Sequence, residues 1–481
     1  MQYSDKYEAV IGLEVHAQLL TKSKLFSADD ASFGGGPNTH ISPITLAHPG
    51  TLPKLNKEAI ELAVRMGLAC NCEIETINYF ARKHYFYPDL PKGYQLSQHT
   101  TPVCKGGHVK IKTPTGERNV QLNRIHMEED AGKSMHDQYE DYSVVDCNRA
   151  GVPLIEIVTE PDLHNGDEAA AYLTELRKMV RTLGVCDGNM EEGSMRCDAN
   201  ISVRLKGETT LGTKVEVKNL NSVRFLKKAI DFEVMRLIDL KEKDEPIIQQ
   251  TRSFNSDDET TFAIRTKEDA NDYRYLTDPD LPPFVITDEF VTAIRASLPE
   301  LPEQRKQRLM QQYQLPEYDA AIIADDKEWS DYFENAAKQT SLFKQTANWL
   351  LGPIKSYLNE HEMETGGFPL QPARLAELIN LVEEGKVSYT VASQKLFPAV
   401  LQTGKPALQL AQEMNLIQER NADALTVLIE QVLGSMPEKV TEYKKGKKGL
   451  IGLFVGEVMK KSKGKADPKL LNQLVTEKLS Q

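Results

Sequence analysis

The stretch "RIHMEEDAGKS" (residues 124–134) sets His126 and three consecutive acids, Glu128, Glu129 and Asp130, ahead of Ala-Gly-Lys-Ser. Gly-Lys-Ser ends a phosphate-cradling loop, but such a loop needs G-x-x-x-x-G-K-S/T so that backbone N–H groups can curl round the phosphates. Met127 stands five residues before Gly132, so the phosphate-loop reading fails, and "FGGGPN" (33–38) lacks the kinase-type glycine spacing. The neighbouring carboxylates suit a hard cation such as Mg²⁺, which prefers oxygen ligands and keeps waters for substrate phosphates. In an extended segment His126 and Glu128 share one face while Glu129 takes the other. Periodicity leaves open which glutamate faces a site, and a solvated acidic turn has the same composition.

Other stretches offer carboxylates in strand-like alternation. In "VIGLEVHAQL" (10–19), Ile11, Leu13, Val15, Ala17 and Leu19 fall on one face, with Glu14 and His16 side by side on the other. "RCDANISV" (196–203) opposes Cys197, Ala199, Ile201 and Val203 to Arg196, Asp198, Asn200 and Ser202. "KVEVKN" (214–219) opposes Val215 and Val217 to Lys214, Glu216 and Lys218. "PLIEIV" (153–158) places Glu156 inside an apolar strand, where a carboxylate is costly without a cation or donors. A water-facing sheet surface also carries mixed charge. Four strands presenting acids point further, to a surface for metal and phosphate.

The elements that must position these residues follow from the pattern. Short strand-like runs fill the chain to about residue 290, where the Pro- and Asp-rich "TDPDLPPFVITDE" (277–289) marks an exit. Beyond it, Leu342, Ala347, Leu350 and Leu351, then Leu375, Leu378, Ile379 and Val382, recur at helical spacing, and Gly-Lys-Pro breaks the run at 404–406. The fold class expected is α+β: an antiparallel-sheet domain over 1–295, an all-α connector over 296–405 and a small all-α tail over 406–481.

At 481 residues the chain is too long for one ordinary core. It carries no apolar run of the roughly 20 residues that span a bilayer and no leader-like N-terminus, which predicts a cytoplasmic protein. Six scattered cysteines, with one C-x-C pair and no second pair, read as reduced thiols. The net charge of −12 hides an asymmetry, since residues 436–481 hold 11 lysines against 5 acids. An acidic body with a basic end suits localised phosphate contact, although a solvated helical tail has the same charge.

With these residues in hand, the sequence resembles the GatB family, the B subunits of the aspartyl/glutamyl-tRNA amidotransferases. The stretches that carry the resemblance are "VIGLEVHAQL", "HPGTLPKLN" (48–56), "RKHYFYPDLPKGYQLSQ" (82–98), "RIHMEEDAGKS", "DCNRAGVPLIEIVTEPD" (146–162), "MEEGSMRCDANISVR" (190–204), "EVKNLNS" (216–222) and "DYRYLTDPDLPP" (272–283). It covers nearly the whole chain. The resemblance implies a first domain similar in fold to glutamine synthetase and the guanidino kinases. It also implies ATP-dependent conversion of misacylated Glu-tRNA(Gln) or Asp-tRNA(Asn) to the amide. ATP phosphorylates the side-chain carboxylate, since oxide is a very poor leaving group, with Mg²⁺ and basic side chains offsetting the phosphate charge. Ammonia then displaces phosphate.

Carried over residue by residue, Glu14, His16 and Glu156 resemble metal ligands, with Glu129 a further ligand and Glu128 beside it. Lys83 and Arg196 with Asp198 resemble phosphate- or substrate-contacting positions. His126 is read as structural. Many members carry a four-cysteine pattern, F-C-x-C…C-P-V-C, where this chain has Ser27, Asp29, Ser42 and Thr45, so no structural zinc is expected. A smaller departure is "YLTDPD", where Phe-Pro-Glu-Pro-Asp is commoner.

The chain has no Ser-rich amidase signature and no Cys/His glutaminase arrangement. The resemblance therefore implies partners: an amidase (glutaminase) subunit, a small third subunit bridging the two, and misacylated tRNA gripped by the basic tail, with no membrane. A glutamine-synthetase-type ligase acting on a free small molecule would have no need of the helical connector and basic tail. A non-catalytic tRNA scaffold would have no need of acids and a histidine on one sheet face.

Overall fold

The alternating N-terminal run forms β1 (Tyr7–Gln18), a central strand of a large sheet in the computed structural model, which describes residues 6–135, 139, 141–266, 273–418, 422–462, 466 and 468–480. Asp272, at the start of one quoted motif, lies outside the described residues. The other strands on the sheet's main path are β2 (Ala81–His84), β3 (Tyr94–Ser97), β4 (Gly116–Glu129), β5 (Pro153–Thr159), β6 (Met195–Leu205), β7 (Val215–Leu220), β8 (Gln250–Asn255), β9 (Thr260–Thr266) and β10 (Leu276–Thr277). Their order is β9-β8-β7-β6-β1-β5-β4-β3-β2-β10, antiparallel throughout except for the parallel β7/β8 pair.

Period two does what the sequence requires of it. Ile11, Leu13, Val15 and Ala17 are fully buried, as are Ile155, Ile157, Cys197, Ala199 and Ile201 from the flanking strands. They share one core with three helices, α1 (Lys57–Ala69), α2 (Gly166–Thr182) and α3 (Val223–Glu242). Each helix starts on a side-chain cap: Asn56 accepts from Glu58 N, Asn165 from Glu168 N and Ser222 from Phe225 N. The helices cover the apolar face, which leaves the alternate residues of β1, β5 and β6 on the other.

The Pro- and Asp-rich segment is held rather than loose. Arg82 of β2 donates to Asp278 at 2.7 Å and to Asp280 at 2.8 Å, which pins β10 along the sheet edge. This compact unit runs to Leu301.

The second unit, Pro302–Gln481, is helical. Trp349, Leu350, Leu375, Leu378, Ile379 and Phe397 share one apolar core that extends to Ala411, and Leu425 to Leu479 form another. Leu350 and Leu351 lie in a π-helical turn, Leu350–Ile354, that carries Pro353. The Gly-Lys-Pro break has a structural cause: Gly404, at φ +67°, caps Phe397–Thr403, and Pro406 precedes the helix Ala407–Glu413. Among the described residues no helix is long and apolar enough to cross a membrane.

Candidate active site

Sheet register gathers the charged residues. His16 lies opposite Arg196 on one side and Glu156 on the other, and Glu156 lies opposite His126. Glu14 lies opposite Asp198, and Glu216 of β7 lies opposite Asn200. These side chains line a cavity of about 450 Å³ whose rim adds Lys83, Tyr85, Arg124, Asp130, Arg149, Lys218, Tyr273 and Tyr275.

Two acidic clusters stand in it. His16, Glu128 and Glu156 bring ligand atoms within 4.8 Å of one another, as do Glu14, Asp198 and Glu216. The second set is all oxygen, as Mg²⁺ prefers; the first adds one imidazole. Glu14 and His16 are two residues apart on β1, so the clusters are neighbours at about 7 Å along the strand.

Electrostatics separate the two clusters. His126 Nε2 lies 3.2 Å from both Glu128 Oε1 and Glu156 Oε2. Burial opposes charge on this imidazole, but Glu156 and Glu128 outweigh it and raise its pKa to about 9. Burial likewise opposes charge on Glu156 and Glu128, and His126 holds both below the usual carboxylate range. Glu14 moves the other way. Burial, then the like charges of Glu156, Asp198 and Glu216, raise it against a 2.8 Å hydrogen bond from Asn200. Lys218 sits 2.6 Å from Asp198 and 3.0 Å from Glu216, and these acids overcome its burial and keep the ammonium charged. Lys83 is held charged in the same way, chiefly by Glu128.

Of the residues singled out from sequence, Glu14, His16, Lys83, Glu128, Glu156, Arg196 and Asp198 meet in this basin. Glu129 does not. Its carboxylate pairs with Lys92 and accepts from Leu96 N at 2.9 Å, away from the basin. Glu128 instead receives Ser97 Oγ at 2.6 Å and Gln95 Nε2 at 3.0 Å. His126, read as structural, bridges two of the basin's acids. Asp130 is buried beside Gln18 (2.7 Å) and Arg196 (3.2 Å), and these with Arg149 keep it ionised.

Glu216 and Lys218 share the polar face of "KVEVKN", so the alternation that singled out Glu14 also marks them. Tyr273 and Tyr275 carry no comparable signal. The Ala-Gly-Lys-Ser glycine has a packing reason: a Cβ on Gly132 would stand 2.8 Å from Asp146 O and 3.0 Å from Asp89 O.

Ser27, Asp29, Ser42 and Thr45 also come together. Asp29 Oδ2 accepts from Ser27 Oγ at 3.0 Å, from Ser42 Oγ at 2.8 Å and from Thr45 Oγ1. Burial opposes the charge there, but the three hydroxyls and nearby Lys24 lower the Asp29 pKa.

An α+β unit with a charged basin on one sheet face, followed by a helical unit, is the build of a catalytic subunit with an appended helical region. Sequence comparison falls on the same division: residues 9–292 match the family model described as the GatB/GatE catalytic domain, and 331–479 match the GatB domain. The chain belongs to the GatB family. It is 47% identical over 470 residues to the aspartyl/glutamyl-tRNA(Asn/Gln) amidotransferase B subunit of Thermodesulfovibrio yellowstonii, covering 98% of each chain. The protein of that name from Thermoanaerobacter pseudethanolicus is 47% identical over 475 residues, 99% of this chain and 100% of the relative. That of Bdellovibrio bacteriovorus is 44% identical over 474 residues, 98% and 99%.

Proposed function

We propose that this chain is the ATP-using subunit of a tRNA-dependent amidotransferase and that its basin is the site of carboxylate activation. The substrate is misacylated Glu-tRNA(Gln), Asp-tRNA(Asn) or both. A side-chain carboxylate oxygen attacks the γ-phosphorus of ATP and ADP leaves; ammonia then attacks the acyl carbon and phosphate departs. The observation that carries this reading is the meeting of two carboxylate clusters with Lys83, Lys218 and Arg196 in one cavity.

Each residue has a task in that chemistry. Glu14, Asp198 and Glu216 have the all-oxygen donor set that fits Mg²⁺, and His16, Glu128 and Glu156 are a second set. Bound there, Mg²⁺ supplies charge neutralisation for the phosphates. Lys83, Lys218 and Arg196 offset the charge of the transferring phosphoryl group with preorganised cations. Glu129, paired with Lys92, supports the strand that carries Glu128.

The sheet's one charged face supports the expected kinship with glutamine synthetase and the guanidino kinases. Ammonia comes from a separate amidase (glutaminase) subunit, with a small third subunit completing a cytoplasmic complex. Residues 296–405 serve as connector, and 406–481, whose lysines gather in 436–481, hold the tRNA body through its phosphates. ATP turnover by the assembled complex should require misacylated tRNA; equal turnover with uncharged tRNA would contradict the reading.

A further inference from the structure

The basin's wall at the β2/β10 edge is unlike the rest of its lining. β10 pairs with β2 so that Leu276 faces Arg82 and Thr277 faces Ala81, and His84 N donates to Tyr273 O at 2.9 Å. Tyr273 and Tyr275 line the basin together with Lys83 and Tyr85. Tyr273 meets Tyr85 at 6.3 Å and Tyr275 at 6.2 Å, both with ring planes 72° apart. Edge-to-face packing of this kind braces rings without stacking one on another. Lys83 Nζ stands 5.1 Å from the Tyr273 ring centre, and Tyr275 stacks on His99 at 3.9 Å with planes 9° apart. Tyr275 is nonetheless 39% exposed. The aspartate pair that grips Arg82 anchors the segment just beyond these rings.

We infer that Tyr275, backed by His99 and braced edge-on by Tyr273, is an adenine-stacking platform at the edge of the activation site. The inference rests on the proposed function and names a subsite within it. The floor of the basin is built for charge: acids for cations, lysines for phosphates. A nucleotide also brings a flat, weakly polar base, and this wall has braced aromatic surface beside a cation. Rings placed like this accept a base face and tolerate its sequence, as aromatic platforms do for unpaired bases. Two reactants of the proposed reaction carry adenine, ATP and the 3′-terminal adenosine of the tRNA.

Tyr275→Ala and Tyr275→Phe are to be compared in the full complex, with Michaelis constants for ATP and for Glu-tRNA(Gln) measured separately with ammonium as donor. Loss of a stacking ring should raise one of the two constants by about fivefold or more, with kcat much less affected, and the phenylalanine variant should restore it. The constant that moves tells which adenine sits there. Unchanged constants in the alanine variant, or a phenylalanine variant as impaired as alanine, would overturn the platform. Should the alanine variant not fold, photo-crosslinking of the wild-type complex decides. Attachment of 8-azido-ATP, or of tRNA ending in 8-azidoadenosine, to Tyr273 or Tyr275 supports the platform, and attachment only elsewhere overturns it. Wild-type complex without tRNA-dependent ATP turnover would defeat the proposed function itself, whereas normal turnover with unmoved constants defeats the platform alone.

Discussion

His126 and Glu156 occupy facing positions on β4 and β5, and their side chains meet at 3.2 Å in the lining of the basin. The contact links a buried imidazole to a carboxylate that would otherwise be stranded in an apolar strand. It explains how "PLIEIV" folds with an acid inside it.

The His126 pKa, raised from 6.5 to about 9, ties stability to pH. Its contribution is fully present below about pH 6.5 and lost as pH rises through about 9, falling by up to about 1.4 kcal/mol per pH unit in that window. Lys24, pushed down to about 8 by burial, contributes the opposite slope above pH 8. That slope is common to wild type and His126→Gln, so the difference between their urea midpoints across the window isolates the histidine. Parallel curves would mean that His126 is neutral in the fold.

Cation binding at His16, Glu128 and Glu156 should expel the His126 proton, because a divalent ion and an imidazolium compete for the same carboxylates. Titration calorimetry with Mg²⁺ near neutral pH, in buffers of different ionisation enthalpy, should show proton release. His126→Gln should abolish that release. Identical heats in all buffers for wild type would place the ion elsewhere.

Asp29 accepts from the hydroxyls of Ser27, Ser42 and Thr45. Asp29→Ala leaves those hydroxyls without their shared acceptor and should lower stability by about 1–3 kcal/mol. Asp29→Asn should cost less, since an amide oxygen still accepts. Thermal melts with and without chelator should coincide for wild type; a melt lowered by chelator would show that a metal, not the carboxylate, holds this loop.

Much of the site is legible in the sequence because a strand's period is two. Glu14 and His16 stand out against the aliphatic run of β1, and Asp198 and Arg196 against that of β6. The same arithmetic separates Glu128 from Glu129, yet not which of them faces the chemistry. That choice is made by the pairing of His126 with Glu156, a contact between strands distant in sequence. The aromatic wall is illegible for the same reason. Nothing local in "DYRYLTD" places its tyrosines beside Lys83; an ion pair such as Arg82–Asp278, 196 residues apart, does so. The glycine of Ala-Gly-Lys-Ser misleads until the backbone of Asp89 and Asp146 is seen against it.

The most direct test is single-turnover phosphoryl transfer from radiolabelled ATP in the assembled complex, with Glu-tRNA(Gln), comparing wild type with Glu14→Gln and Glu156→Gln. If the carboxylate face is the activation site, both variants should bind tRNA normally and lose transfer by about 100-fold or more. Transfer at the wild-type rate in either folded variant would contradict that assignment and move the chemistry to another part of the chain.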